Sequence, residues 1–421
     1  MATPEPSTLA IIAPQGDLIL CMRQDEKCGG FSYRVDSEIL RRRSRYFENL
    51  LSDRFDEGQQ LSAALEALKT TRHSTIADAP ADALPKISIV NVGKISRVSS
   101  IQNLAADFLR ALHGLDLAVS KPPLANLANL AVVADRFAAL PYFSEFIQKR
   151  KYLNMLDGKT KAKSDIPEER VRQRLLLGIL FDHPQWVIRF SKHLIMRDSA
   201  QWKPGAQFDE NAALWWDLPN GIEDELIKRR EYVLDTINSL QSHFLKLYTS
   251  SERQCKLGYD SSVQCDSFQL GEMVRFFSRL GTLRLQGTIY DSTEPTYYTG
   301  DIDRLLESLR QCPSYQVDRN HSHCGLRVRL LPLLDGVKDL LSVDGGSLDV
   351  GICLECWTHR RSSYAWSLAK RPVSWGHSKL PGRWQGVGRG NGETGSCLGR
   401  HSVIRDIFMA VDRNWAATDA Y

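Results

Sequence analysis

Residues 16–47 read GDLILCMRQDEKCGGFSYRVDSEILRRRSRYF, and this stretch decides the fold of the first third of the chain. Its short apolar run LIL and the alternating segment FSYRV predict two strands. Asp36-Ser37 then offers an N-cap for a helix that begins with EIL. Ser44 precedes further apolar residues at helical spacing, which predicts a second short helix. The stretch therefore predicts two strands followed by two helices.

The residues that follow continue this mixture of strands and helices. Residues 59–84 join an Ala/Leu-rich piece to small polar residues, which indicates an insertion with at most one helix and a mobile loop. The segment KISIV at 86–90 predicts another strand. Two apolar periodic segments, IQNLAADFLRAL at 101–112 and LANLANLAVVADRF at 124–137, predict two more helices. We therefore expect an α+β fold that begins with a small sheet flanked by helices.

The order of these segments resembles the BTB/POZ domain, with spacing closest to that in proteins of filamentous fungi. The resemblance covers residues 1–152, with the insertion near 59–84, and it depends on residues distributed along the segment. They are Asp17, Val35, Ser37, Leu40, Ser44, Tyr46, Phe47, His113, Gly114, Ala134 and Asp135.

Such a resemblance implies self-association through the first strand and first helix. In many BTB/POZ proteins it also implies docking onto a cullin ubiquitin-ligase scaffold, with a client protein bound elsewhere on the chain. The short acidic motif through which such proteins contact a cullin is expected near the insertion, and we assign it to no particular residues. The first hypothesis is therefore a homodimeric interaction scaffold or adaptor.

Beyond this domain the composition of the chain changes three times. Residues 153–167 are polar and predict a linker, and residues 168–249 carry helical periodicity and predict an all-helical block. Residues 250–378 are rich in cysteine and histidine, with short apolar runs, and predict a small α/β module. Residues 379–421 are rich in glycine and predict a poorly ordered tail, in which a terminal helix could form near its end.

The sharpest chemical feature of the sequence is Cys353-x-x-Cys356, because two thiolates one turn apart can bind the same ion. A second pair from a distant loop can complete the tetrahedron that zinc prefers. The first choice of ligands is Cys312, Cys324, Cys353 and Cys356. His323 or His321 could replace one of them. Cys255 and Cys265 serve a further ion or are buried thiols. We expect one structural Zn²⁺ rather than two.

Other interpretations of the cysteines are reduced core thiols or a redox pair. The continuation Trp357-Thr-His-Arg-Arg is basic and turn-like, whereas a thioredoxin-like site places its C-x-x-C at the head of a helix. A zinc deaminase requires H-x-E and P-C-x-x-C, and neither is present at these positions. Because no nucleophile, base and orienting group can be named together, we expect no enzymatic activity.

The charge balance, 54 basic and 50 acidic residues for a net charge of +4, does not predict a dedicated nucleic-acid binder. A second hypothesis nevertheless remains open, a zinc-containing nucleic-acid or chromatin-associated regulator that oligomerises through the BTB-like domain. It depends on tryptophans that alternate with arginines and could stack on bases, namely Trp357, Trp366, Trp375 and Trp384.

The expected location is the cytoplasm or the nucleus. The first residues are polar and contain Pro4 and Pro6, unlike a secretory signal. No uncharged apolar stretch of about 20 residues occurs, so we expect no membrane-spanning segment.

Overall fold

The computed structural model describes residues 9–25, 30–70, 79–157, 166–203, 205, 212–255, 257, 262–283, 298, 300–342, 350–376 and 397–415. The chain divides into two compact units. Unit 1 comprises Met1–Val187 and Phe208–Pro219, and unit 2 comprises Ile188–Gln207 and Asn220–Tyr421.

Unit 1 combines a small sheet with a set of helices. Its strands are β1 (Ala10–Ile11), β2 (Leu18–Arg23), β3 (Phe31–Val35) and β4 (Lys86–Val90). Its helices are α1 (Ser37–Arg43), α2 (Arg45–Leu50), α3 (Asp56–Thr70), α4 (Ile101–Leu112), α5 (Leu124–Arg136), α6 (Leu140–Lys149), α7 (Tyr152–Asp157) and α8 (Glu168–Leu180). The mixture of helix and sheet agrees with the expected α+β class.

The sheet has the strand order β1-β3-β2-β4. Strands β2 and β3 form an antiparallel pair in which Leu20 is opposite Tyr33, as adjacent strands of a hairpin do. Strand β4 pairs in parallel with β2, placing Ile87 beside Leu20, and β1 pairs in parallel with β3. Strand β4 is therefore antiparallel to β3, and the chain between them, which contains helices α1 to α3, returns to the sheet on the far side of β2.

Strand β2 is buried on both faces of the sheet. Leu18 and Leu20 point to one face, and Ile19, between them, points to the other, where it packs with Leu84 and Leu68. Leu68 belongs to α3, and Leu84 directly precedes β4. The expected insertion thus contributes a helix and apolar cover for the sheet, while its residues 71–78 lie outside the described part of the chain.

The start of α1 is held by two carboxylates. The Asp17 carboxylate accepts hydrogen bonds from the Ser37 amide, at 2.8 Å, and from the Ser37 hydroxyl, at 2.7 Å. Asp36 is the N-cap and accepts from the Glu38 and Ile39 amides, so the expected capping function belongs to Asp36 and not to Ser37. These bonds fix α1 against the sheet.

His113 connects the start of α1 to the end of α4. Its Nδ1 lies 2.8 Å from the Leu109 carbonyl oxygen, and its Nε2 accepts the Asp36 amide at 3.1 Å. Gly114 follows with φ +75°, a conformation that glycine adopts without a Cβ penalty. His113 and Gly114 therefore close α4 and bring it onto α1.

Ser44 and an aromatic cluster dock α2. The Ser44 hydroxyl donates to the Phe137 carbonyl at 2.6 Å and accepts from the Phe47 amide at 3.2 Å. Phe47 stacks on Phe137 with 5.4 Å between ring centroids, and Tyr46 meets Phe137 edge-on. Four other signature residues have simpler positions, since Val35, Leu40 and Ala134 are buried and Asp135 is exposed.

Unit 1 extends further along the chain than the BTB-like segment. The ring of Phe181, directly after α8, stacks on Phe143 of α6. Arg172 of α8 is fully buried, bonded to Glu168 and to the Trp215 carbonyl. The helical block expected over 168–249 is thus divided, with α8 in unit 1. Helix α7 occupies the start of the expected linker, and residues 158–165 of that linker lie outside the described residues.

Helix α9 (Pro184–Arg197) begins in unit 1 and continues into unit 2. The other helices of unit 2 are α10 (Ile222–Thr249), α11 (Ser262–Arg279), α12 (Ile302–Arg310), α13 (Leu326–Ser342), α14 (Leu354–His359), α15 (Arg361–Tyr364) and α16 (Cys397–Met409). Its strands β5 (Ser374–Gly376) and β6 (Asp412–Asn414) pair in parallel. Among the described helices of either unit, none is both long and apolar enough to cross a bilayer.

A buried ion pair on α10 anchors the segment that carries Cys353. Arg229 contacts Glu225 at 2.8 Å and donates to the carbonyls of Val350 and Gly351, at 2.9 and 2.8 Å. Glu225 accepts from the Trp366 amide at 2.9 Å. Because the pair bonds to the backbone at Val350, Gly351 and Trp366, the chain on either side of α14 is held against α10.

Residues 397–415 of the expected glycine-rich tail are described, and α16 lies where a terminal helix was considered near the end of that tail. Phe408 of α16 is buried and stacks on Trp366, and the Trp415 indole donates to Ser239 at 2.9 Å. The apolar residues of α16 give it a side that faces the core of unit 2. Residues 377–396, which contain most of the glycines of the tail, lie outside the described residues.

Candidate metal centres

Among the described residues, two groups of cysteine and histidine are arranged so that each could hold a metal ion. Centre 1 consists of Cys255, Cys265, His321 and Cys324. Centre 2 consists of Cys353, Cys356, Cys397 and His401. In each centre the four ligand atoms lie within 4.8 Å of one another, and both centres belong to unit 2.

Centre 1 has the dimensions of a tetrahedral zinc site. The sulfurs of Cys255 and Cys324 are 3.7 Å apart, and His321 Nδ1 lies 3.5 Å from the first and 3.7 Å from the second. Usual zinc bond lengths give tetrahedral edges of about 3.8 Å between sulfurs and about 3.6 Å between sulfur and nitrogen. The four residues are buried. The donor atoms therefore already have the spacing that zinc requires.

The ligands of centre 1 come from three places in the chain. Cys255 follows α10, Cys265 lies in the second turn of α11, and His321 and Cys324 lie in the short turns before α13. The Asp266 carboxylate accepts the amide of Cys255 at 2.9 Å and thereby fixes the chain beside α11. The Tyr248 hydroxyl, at the end of α10, donates to the Cys324 carbonyl at 2.9 Å. These bonds position the ligands from outside the centre.

The thiols of centre 1 differ in acidity. Burial opposes ionisation of Cys255, but the Ser262 side chain and the Leu257 backbone outweigh it and lower the Cys255 pKa to about 7. Burial, together with the neighbouring thiols, raises the pKa of Cys265 to about 12, and burial also raises that of Cys324. A metal ion would therefore have to displace protons from these last two thiols, as thiolate sites commonly do.

Centre 2 is formed by two pairs of ligands, one at the start of α14 and one on α16. Cys353 is the N-cap of α14 and Cys356 lies within its first turn, while Cys397 and His401 are one turn apart on α16. The Cys353 and Cys397 sulfurs are 3.8 Å apart, which equals a tetrahedral edge. Cys397 Sγ and His401 Nε2 are closer, at 3.1 Å, so a zinc ion would separate them by about half an ångström.

Tyr364 supports centre 2 from α15. Its hydroxyl oxygen accepts the Cys353 amide at 2.7 Å, and its ring meets the His401 imidazole edge-on at 5.3 Å. Burial raises the pKa of Cys356 and Cys397, and the adjacent Cys353 raises both further. Both centres present three sulfurs and one imidazole nitrogen, a ligand set typical of closed structural zinc sites.

The ligands expected from the sequence are not brought together in one site. Cys324 and His321 belong to centre 1, whereas Cys353 and Cys356 belong to centre 2. The buried Cys312 is in neither centre, and its sulfur faces the Pro313 carbonyl at 3.7 Å. His323 is exposed, because the turn that buries His321 and Cys324 directs the residue between them outward. The single expected site is therefore replaced by two.

Sequence reasoning missed Cys397 and His401 altogether, because both were included in the glycine-rich tail. The available signal was their i, i+4 spacing at the start of an apolar periodic segment, which places both side chains on one side of a helix. Cys255 and Cys265 had been considered for a further ion, and the structure places them with His321 and Cys324.

The chain after Cys353 is helical rather than turn-like. This removes one argument against a redox pair, since Cys353 lies at a helix start as redox cysteines do. However, no strand directly precedes it among the described residues, and two further ligands approach from α16. Four ligands around one point favour metal binding over dithiol exchange.

Three of the four tryptophans considered for nucleic-acid stacking are buried, namely Trp357, Trp366 and Trp375. Arg361 lies over the Trp357 ring at 4.3 Å, and Arg229 lies over Trp366 at 5.0 Å. These rings are therefore part of the core and are not available to bases. Trp384 lies outside the described residues.

Comparisons with known proteins identify no relative of this chain. No protein-family model matches the chain, and no curated protein or solved structure shows significant similarity to it.

Proposed function

We propose that this protein is a non-enzymatic interaction scaffold or adaptor of the cytoplasm or nucleus. Unit 1 self-associates as a BTB/POZ-like module, and unit 2 binds a client protein on a framework held by structural zinc. Docking of unit 1 onto a cullin would make the protein a substrate adaptor of a ubiquitin ligase.

The observation that carries this proposal is the order of elements in unit 1. A strand hairpin, β2-β3, is followed by the helix pair α1-α2, by the parallel strand β4 and by the helices α4 to α6. The residues that suggested the BTB/POZ resemblance contribute to this arrangement at its joints, as in the Asp17–Ser37 and His113–Asp36 bonds. These contacts support the resemblance and do not resemble a catalytic site.

The zinc part of the proposal is supported by the ligand types and by closure. Thiolate and imidazole ligands suit zinc, whereas calcium and magnesium prefer oxygen. Four protein ligands in each centre leave no position for substrate or water, which is the usual arrangement in structural sites.

Self-association is tested with the full chain by analytical ultracentrifugation. We expect a dimer at micromolar concentration, and we expect Ile11→Asp to weaken it, because Ile11 lies in β1 with 62% of its surface exposed. Val119→Asp is the matched control, since Val119 is 51% exposed but lies in the loop between α4 and α5. A monomer at all concentrations would contradict the proposal.

The adaptor part is tested separately by measuring binding of the full chain to a purified cullin in a biosensor. We expect saturable binding. Absence of binding at tens of micromolar would leave a scaffold without a ligase function and would reject the adaptor role.

A further inference from the structure

We infer that each chain binds two zinc ions independently, one in each centre, and that the ion of centre 2 fastens the start of α16 to α14. This inference rests on the structural-zinc part of the proposed function and extends it. It gives four ligands to each ion and includes two, Cys397 and His401, that lie beyond the glycine-rich segment.

The two centres share no ligand, so binding at one does not deplete the other. Centre 1 links the end of α10, α11 and the turns before α13, whereas centre 2 links α14 to α16. Centre 1 therefore connects three chain segments and centre 2 connects two others. Loss of one ion should leave the other bound.

Charge and proton balance are the same in both centres. One Zn²⁺ replaces the protons of three thiols, binds the neutral imidazole and releases up to three protons to solvent. The resulting group carries one net negative charge.

Centre 2 differs from centre 1 in what it holds. The C-terminal end of α16 and the strand β6 after it are held by contacts other than the centre. Strand β6 pairs with β5, the Arg371 guanidinium donates to the Met409 carbonyl at 2.9 Å, and Phe408 stacks on Trp366. The Thr236 hydroxyl contacts the Phe408 carbonyl at 3.3 Å, and the Trp415 indole donates to Ser239. At the opposite end of α16, the described attachment includes the Cys397 and His401 side chains. An ion there would fix the start of the helix.

The test is zinc analysis of the full chain, purified without chelator, together with ligand variants. We expect two zinc ions per chain in the unaltered protein, one in Cys265→Ser, one in Cys397→Ser and none in the double variant. Cys312→Ser is the matched control, since Cys312 is a buried cysteine outside both centres, and it should retain two.

Hydrogen exchange separates the role of centre 2 from simple metal content. In Cys397→Ser we expect amides of α16 to exchange at least about tenfold faster, while Cys265→Ser leaves them unchanged. His401→Cys should retain both the second ion and the protection of α16 amides from exchange, because it keeps four ligands. His401→Ala should lose both.

The outcomes separate this inference from the proposals on which it rests. One zinc ion in the unaltered protein, or unchanged exchange in Cys397→Ser, overturns the inference alone. No zinc at all overturns structural zinc as well. Self-association of unit 1 is measured independently of metal and is contradicted by neither result.

Discussion

At the scale of single residues, the most consequential side chain outside the metal centres is Arg229. Its guanidinium is buried between the Tyr364 and Trp366 rings, at 4.9 and 5.0 Å, and it pairs with the equally buried Glu225. A buried charge is tolerated only while its partners remain, so the pair is expected to be far more sensitive to truncation than a surface pair.

We therefore predict that Arg229→Leu lowers the free energy of unfolding of unit 2 by about 3–5 kcal/mol, because it leaves the Glu225 carboxylate buried without its cation. Urea unfolding followed by tryptophan fluorescence measures the change. Lys228→Ala on the same helix is the control, since its pair with Glu231 is exposed and contributes below about 1 kcal/mol. Equal losses in both variants would reject this account of Arg229.

His113 predicts a dependence of unit 1 on pH. Burial lowers its pKa below the ordinary value; the Leu109 bond and the Asp36 charge act in the opposite direction, and Arg43 adds to the lowering. The neutral ring accepts the Asp36 amide, so its stabilisation is present above pH of about 6.5 and is lost as pH falls through the lowered pKa. Acidification from pH 7.5 to 5.5 should destabilise unit 1.

In His113→Gln we expect a smaller loss between these two pH values, because the titrating ring is absent. Hydrogen exchange at strand β2 measures unit 1 without interference from His193 and His243 of unit 2, whose pKa values burial also lowers. An identical pH effect in both proteins would exclude His113 as its source.

At the scale of elements, the helices of unit 1 depend on their caps and joints. We predict that Ser44→Ala lowers the free energy of unfolding of unit 1 by about 1–2 kcal/mol, since it removes the α2 cap and leaves the buried Phe137 carbonyl without a donor. Ser52→Ala removes only an exposed bond and should change it by less than about 0.5 kcal/mol. Urea unfolding of the full chain, with hydrogen exchange in β2 as the signal of unit 1, measures the change in both variants.

The elements that sequence patterns predicted best are those with strong local signals. The alternation in FSYRV and the apolar period of 101–112 correspond to β3 and α4, because burial of one face dictates such patterns. A terminal helix was considered near the end of the tail, but the glycines before it hid the start of α16 at Cys397. Membership of α8 in unit 1 depends on packing of Phe181 against Phe143, which no local pattern encodes.

The candidate metal ligands show the same limit. Cys353 and Cys356 are close in sequence and were identified from their spacing, but their partners lie on α16. Cys324 was grouped with them because the sequence offers no information on which distant cysteines meet. Pairing of ligands over such separations is decided by tertiary packing, here by α10, α11 and α14.

At the scale of the whole molecule, all described candidate ligands belong to unit 2, and the described residues of unit 1 contribute none. We therefore predict that a strong zinc chelator lowers the thermal unfolding temperature of unit 2 by more than about 10 °C and leaves that of unit 1 unchanged. Hydrogen exchange during heating distinguishes the units through β2 and α11. Equal shifts in both units would contradict metal centres confined to unit 2.

We propose that unit 1 self-associates and that unit 2 is held by zinc. Native mass spectrometry of the full chain tests both proposals in one measurement. The predicted result is a dimer that carries four zinc ions, two per chain. A metal-free monomer would contradict the account.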